Sequence, residues 1–124
     1  MKYLCLVYGE EQALANMPDA HCVAFDDEIR TSGHCIASEA LQPVATATTV
    51  RVRNGKLSVT DGPFAETKEF LAGFYMIEAR DLNEAIQLAA RIPPASVGSI
   101  EIRPIRPIRE TVRAQQLGET HGVR

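Results

Sequence analysis

The chain has 124 residues, with 13 Lys and Arg against 16 Asp and Glu, a net charge of −3 and 45% hydrophobic residues. That describes one domain with apolar material for a single core. It argues against a disordered chain and against a generic nucleic-acid binder. No apolar run approaches the ~20 residues a membrane-spanning helix needs.

The charge is uneven. Residues 1–102 carry 8 basic and 14 acidic side chains, while residues 103–124 carry 5 basic and 2 acidic. A basic end on an acidic body fits a docking tail or a solvated one. Lys2 precedes a short apolar run with no small-residue cleavage site, so no secretory signal is expected. Cys5, Cys22 and Cys35 are an odd set without a CxxC pair. They read as free thiols in a cytoplasmic protein and not as a disulfide framework or zinc site.

Taken in chain order, residues 2–8, KYLCLVY, are apolar on both faces and read as a central strand. From Pro18 to Ser32, Cys22, Phe25 and Ile29 recur at helical spacing. Asp19 or Asn16 is expected to cap this helix, and Gly33 to end it. Residues 34–41, HCIASEAL, alternate: His34, Ile36, Ser38 and Ala40 on one face, Cys35, Ala37, Glu39 and Leu41 on the other. Residues 46–53 form a β-branched strand, and Asn54-Gly55 between two alternating runs predicts a tight hairpin.

Residues 71–78, LAGFYMIE, give another strand. Asp81 and Glu84 form a capping box before a helix whose stripe is Leu82, Ala85, Leu88, Ala89 and Ile92. Residues 98–103 give the last strand. The repeat IRPIRPIR at 102–109 reads as an edge or extended arm, because its prolines cannot donate to a ladder. Disorder is expected from Ala114 onward. The order is βαββαβ with an inserted hairpin, the ferredoxin-like α+β arrangement. Both helices then cover one sheet face, and two copies packing sheet to sheet would cover the other.

Between the hairpin and the next strand lies Asp61-Gly62-Pro63-Phe64-Ala65-Glu66-Thr67-Lys68-Glu69. Its first four residues carry turn chemistry: Gly62 permits unusual φ, Pro63 fixes φ, and Asp61 suits a bond to nearby backbone. The whole stretch resembles the signature of the YCII-related, DGPF-domain family. ATATTVRVRNGK before it, GFYMIEARDLNEAI after it, KYLCLVY at the start and GSIEIRPI near the end share the likeness.

The resemblance covers about residues 1–108. It implies a ferredoxin-like fold assembled as a dimeric α/β barrel, akin to muconolactone isomerase-like enzymes. It also implies acid–base work by a His and an Asp, the His near the start of the first helix. His21 stands about there, without the Arg-Pro-x-x-His-like flank of those members. DGPF-type proteins are similar to ones encoded beside extracytoplasmic-function sigma factors, which implies a regulatory alternative.

The residues themselves nominate His34 and Asp61 as an acid–base pair beside the sheet-face cleft. They nominate Phe64, Glu66, Thr67 and Lys68 as a loop for a polar ligand or a protein partner. His34 and Glu39 should face opposite sides unless a bulge intervenes. No metal or cofactor is expected: metal-ligand spacing, GxGxxG and GxxxxGK[ST] are all missing from the sequence. The chain therefore reads as a cytoplasmic homodimer binding a small polar organic molecule, with isomerase- or lyase-like proton transfer open to it. The alternative is an interaction module for a sigma-factor-associated protein.

Overall fold

A computed structural model describes residues 1–118. Among the described residues there are six strands: β1 (Lys2–Gly9), β2 (Cys35–Ala40), β3 (Thr48–Arg53), β4 (Lys56–Asp61), β5 (Phe70–Glu78) and β6 (Ser99–Pro104). The α-helices described with them are α1 (Glu11–Ala15), α2 (Asp19–Thr31), α3 (Leu82–Ala89) and α4 (Ile108–Gln116), with short 3-10 turns at Val44–Thr46 and Pro93–Ser96. Strands β2, β5, β1 and β6 lie in that order in one antiparallel sheet, and β3 with β4 forms a separate hairpin. This is the expected ferredoxin-like α+β topology.

Burial along β1 alternates strictly. Tyr3, Cys5 and Val7 are buried, while Leu4, Leu6 and Tyr8 are half-buried on the opposite face. The buried face joins Ile77 of β5 to Phe25 and Ile29 of α2 and to Ala85, Leu88 and Ala89 of α3. Ile100 and Ile102 pack against this core, as expected. Phe25 and Tyr75 meet edge to face at 5.4 Å between ring centroids, a favoured aromatic geometry.

Local signals explain most element ends. Asp81 accepts a bond from the Glu84 N–H at 2.9 Å, and the Glu84 carboxylate accepts one from the Arg80 N–H at 2.8 Å. The capping pair therefore reaches one residue further back than a standard box. Asn54 and Gly55 take φ of 53° and 75°, the left-handed pair the hairpin turn requires. Helix α2 differs from expectation: Pro18 precedes it without a side-chain cap, and Asp19 lies inside its first turn.

Two helices were not expected. Helix α1 turns the chain after β1, in a stretch to which the sequence reading assigned no element. Helix α4 begins directly after Pro107, whose ring suits the entrance of a helix, so the repeat is strand to Pro104 and helix from Ile108. Ala114 is helical, where disorder was expected. The expectation of disorder for residues 119–124 falls outside the described residues.

The register of β2 also departs from simple alternation. Cys35 pairs with Ile77 and Ala37 with Met76, so Ile36 is an extra residue, a β-bulge. Beyond it Ala37, Glu39, Leu4, Leu6, Phe74 and Met76 share the face turned away from the helices, by their register. Ser38, opposite Tyr75, is turned toward α2 instead. The face foreseen to hold His34, Ile36, Ser38 and Ala40 together does not exist, because one inserted residue reverses the parity of everything after it.

Gly98 marks the closest backbone approach. A Cβ there would sit 2.1 Å from the Tyr8 carbonyl oxygen, so strand and backbone would have to part. Gly98→Ala is expected to cost about 1–3 kcal/mol of unfolding free energy in urea, as overpacking does. A variant as stable as the parent would contradict this contact.

Candidate functional site

His34 lies just before β2, at the end of the sheet where its carbonyl accepts from the Glu78 N–H. Its Nδ1 is 2.9 Å from the Ser32 hydroxyl, and its Nε2 is 3.8 Å from the Glu84 carboxylate, which also pairs with Arg80. Asp61 ends β4 in the hairpin, opposite Thr48, and is exposed. Gly62 beside it donates to the Ala47 carbonyl at 2.7 Å, which closes the root of the hairpin. Among the described contacts, His34 meets Ser32 and Glu84, and none joins it to Asp61.

The signature loop is largely structural in its contacts. Thr67 donates to the Glu69 carbonyl at 2.6 Å, and Lys68 stands 3.9 Å from the Glu10 carboxylate. Glu69 accepts from the Ser99 hydroxyl at 2.8 Å. Glu66 is exposed, and Phe64 is 77% exposed, so the ring is not pinned to this chain's own core. His21 is exposed on the first turn of α2.

The structure instead opens a cavity of about 920 Å³ on the helix side, between α1, α2 and the β2–β5 corner. Its apolar wall includes Leu14, Met17, Val23, Phe70 and Tyr75. Size and lining are those of a small-molecule site. Two elements frame its mouth: the Glu11 carboxylate accepts from the Val44 N–H at 2.9 Å, binding α1 to the turn that leads into the hairpin.

Polar groups converge on one wall. Asp26 of α2 accepts a short hydrogen bond from the Ser38 hydroxyl. Arg30, one helical turn on, donates to Asp26 at 2.9 Å and to the Ser38 oxygen at 2.7 Å. The i,i+4 spacing of Asp26 and Arg30 sets their pairing. The bulge at Ile36 is what brings Ser38 to them. Both Asp26 and Ser38 line the cavity, as do Cys22 and Tyr75.

Burial, with Cys22 and then Asp26 adding to it, pushes the Tyr75 phenol up to about 12, so the group stays a hydrogen-bond donor near neutral pH. Burial raises the Cys22 thiol, and Asp19 raises it further, which disfavours the thiolate. Among the described residues, no group of three or more His, Cys, Asp and Glu side chains is placed to hold a metal ion. No described helix is long and apolar enough to cross a membrane. The wall can hold a hydroxyl or amine in place and pass a proton through Ser38 and Asp26.

Fold and cavity together define a ferredoxin-like α+β protein with a lateral pocket between its first long helix and an edge strand. Residues 1–109 match the YCII-related domain, and the chain belongs to that family. An uncharacterized protein of Rhizobium meliloti (strain 1021) is 48% identical over 67 residues, 52% of this chain and 54% of the relative. The match thus spans about half of that relative's length. The fold is also similar to that of a 5-chloro-2-hydroxyhydroquinone dehydrochlorinase from Burkholderia phenoliruptrix AC1100, solved with 2,5-dihydroxybenzoquinone. There the TM-score is 0.50 and the identity 11%, over 86% of this chain and 94% of that one. At that identity the likeness concerns fold alone.

Sequence reasoning missed Asp26, Arg30 and Ser38. Cys22, Asp26 and Arg30 recur every four residues along α2, which was a usable signal for one wall of a pocket. Ser38 had no such signal.

The buried Cys5 thiol is pushed up to about 11, by burial first and by Cys35 second. A raised thiol pKa means less thiolate at any given pH, and the thiolate is what reacts. Iodoacetamide at pH 8 is therefore expected to leave Cys5 unmodified in native protein and to label it fully in urea, as read by peptide mass spectrometry. Rapid native labelling of Cys5 would contradict the packing.

Proposed function

We propose that this protein binds a small organic molecule in the cavity between α2 and β2, with Asp26, Ser38 and Tyr75 as its polar contacts. The observation carrying the reading is the cavity of about 920 Å³ with an apolar wall and one convergent hydrogen-bonded cluster. Proton transfer of an isomerase or lyase kind fits the cluster: Asp26 takes a proton through Ser38, and Arg30 steadies the charge. This moves the proposed chemistry away from His34 and Asp61 and away from the bare sheet face.

The bare face has a different proposed role, in assembly. Leu4, Leu6, Tyr8, Phe74 and Met76 are partly exposed there. On the hairpin, Val50, Val52, Leu57 and Val59 are each 59–68% exposed and share one face by register. An isolated two-stranded hairpin is marginal in water. A homodimer that covers sheet face and hairpin together removes both exposures and fits a stable interface of about 800 Å² per partner. The rival reading, a module for a sigma-factor-associated protein, draws on the exposed Phe64. It is the weaker one, because Thr67 and Lys68 are already engaged within the chain.

Two measurements test these readings. In a thermal-shift screen of small polar metabolites, ligands of the parent protein should lose about tenfold in affinity in Ser38→Ala, the usual cost of one hydrogen bond to a charged cluster. No stabilising compound, or equal affinity in the variant, would overturn the cavity reading. By sedimentation the parent should be a dimer at micromolar concentration, and Leu6→Glu should be a folded monomer by circular dichroism. A monomeric parent, or a dimer indifferent to Leu6→Glu, would overturn the assembly.

A further inference from the structure

We infer that the cavity selects a cationic ligand, an apolar or aromatic body carrying a protonated amine, over a carboxylic acid of the same shape. This rests on the cavity reading above and names the chemistry of its ligand. Three carboxylates line the space on its helix side: Glu11, Asp19 and Asp26. Glu39 also borders it, but register turns its side chain to the outer sheet face. Among the described residues that line it, none is Lys, Arg or His. The one cation held against the wall is Arg30, paired to Asp26. An excess of two negative charges therefore borders a pocket that is otherwise apolar or, at Gln12, Gln42, Ser38 and Tyr75, polar and uncharged.

Not all three carboxylates are equally available. Asp26 is taken by Arg30 and Ser38, and Glu11 by the Val44 N–H. Asp19, in the first turn of α2, is exposed on the cavity lining. It is the group positioned to meet an incoming charge. A carboxylate ligand entering here meets like charge from Asp19 and Glu11 and no cation among the described lining residues, in a site that also strips part of its hydration. An ammonium meets attraction from the same groups. Tyr75 and Phe70 in the wall add aromatic surface, which also favours cations. Tyr75 adds no negative charge, since burial keeps its hydroxyl protonated.

The apolar walls set the other half of the description. Leu14, Met17 and Val23 offer no partners for a second polar group, so a compact polycation gains little beyond the first charge. A ring or short alkyl body with one amine uses both parts of the site.

The experiment uses the full chain at low ionic strength with three probes: 2-phenylethylamine, 2-phenylethanol and 3-phenylpropanoate. Binding is read by saturation-transfer NMR and isothermal titration. The amine is expected to bind about tenfold more tightly than the alcohol, and the acid most weakly, with the amine's affinity falling as salt rises. In the variant Asp19→Asn, checked for folding by circular dichroism, the amine-to-alcohol affinity ratio should fall toward one. An acid that binds as well as the amine, or an unchanged ratio in Asp19→Asn, overturns the charge selectivity and leaves the cavity reading standing. Silence from all three probes overturns both.

Discussion

One inserted residue governs which face of β2 meets Asp26 and Arg30. Side chains on a strand alternate faces with a period of two, so an extra residue turns every later side chain over. Ile36 is that residue in β2. Before it, Cys35 packs toward the helices; after it, Ser38 does so as well, although one is odd and the other even. Without the bulge Ser38 would look out from the bare face, and Asp26 and Arg30 would pair with nothing across the gap. Bulges of this kind commonly re-aim a side chain beside a functional site.

The same displacement divides labour between the two sides of the sheet. The outer face is left as a clean rung pattern of Ala37, Met76, Leu4 and Arg103, and of Glu39, Phe74, Leu6 and Glu101. Its middle is apolar and its ends are charged, which is the composition of a surface that packs against another copy. The helix side, by contrast, has its rungs filled near β1 and β6 and left short near β2, where α1 and α2 do not close over the edge strand. The cavity is the space that results. The proposed assembly surface and the proposed ligand cavity thus fall on opposite faces.

How much of this was legible in the sequence follows from the physics of each signal. Strands and long helices were, because hydrophobic period and capping are local: Phe25 and Ile29 on α2, Asp81 and Glu84 at α3, Asn54-Gly55 at the hairpin. Helix α1 was missed because five residues make little more than one turn and carry no cap signal. Helix α4 was missed because the prolines of IRPIRPIR drew the reading toward extended chain. Its Ile108 and Val112, four apart, were the helical clue. The site was not legible, because a bulge leaves no mark on an alternating pattern, and because Asp26 and Ser38 meet across a tertiary contact. The signature loop drew attention through its density of charge, but two of its four charged residues, Lys68 and Glu69, stand against Glu10 and Ser99 of the same chain.

The central claim is that the ligand-facing surface lies between α2 and β2 and not on the outer sheet face. The most direct measurement is a two-dimensional amide NMR titration with 2-phenylethylamine. The account predicts that the largest shift changes fall on Cys22, Val23, Asp26, Ser38 and Tyr75, with Leu4, Leu6 and Met76 nearly still. Changes centred on Leu4, Leu6 and Met76 instead would contradict it.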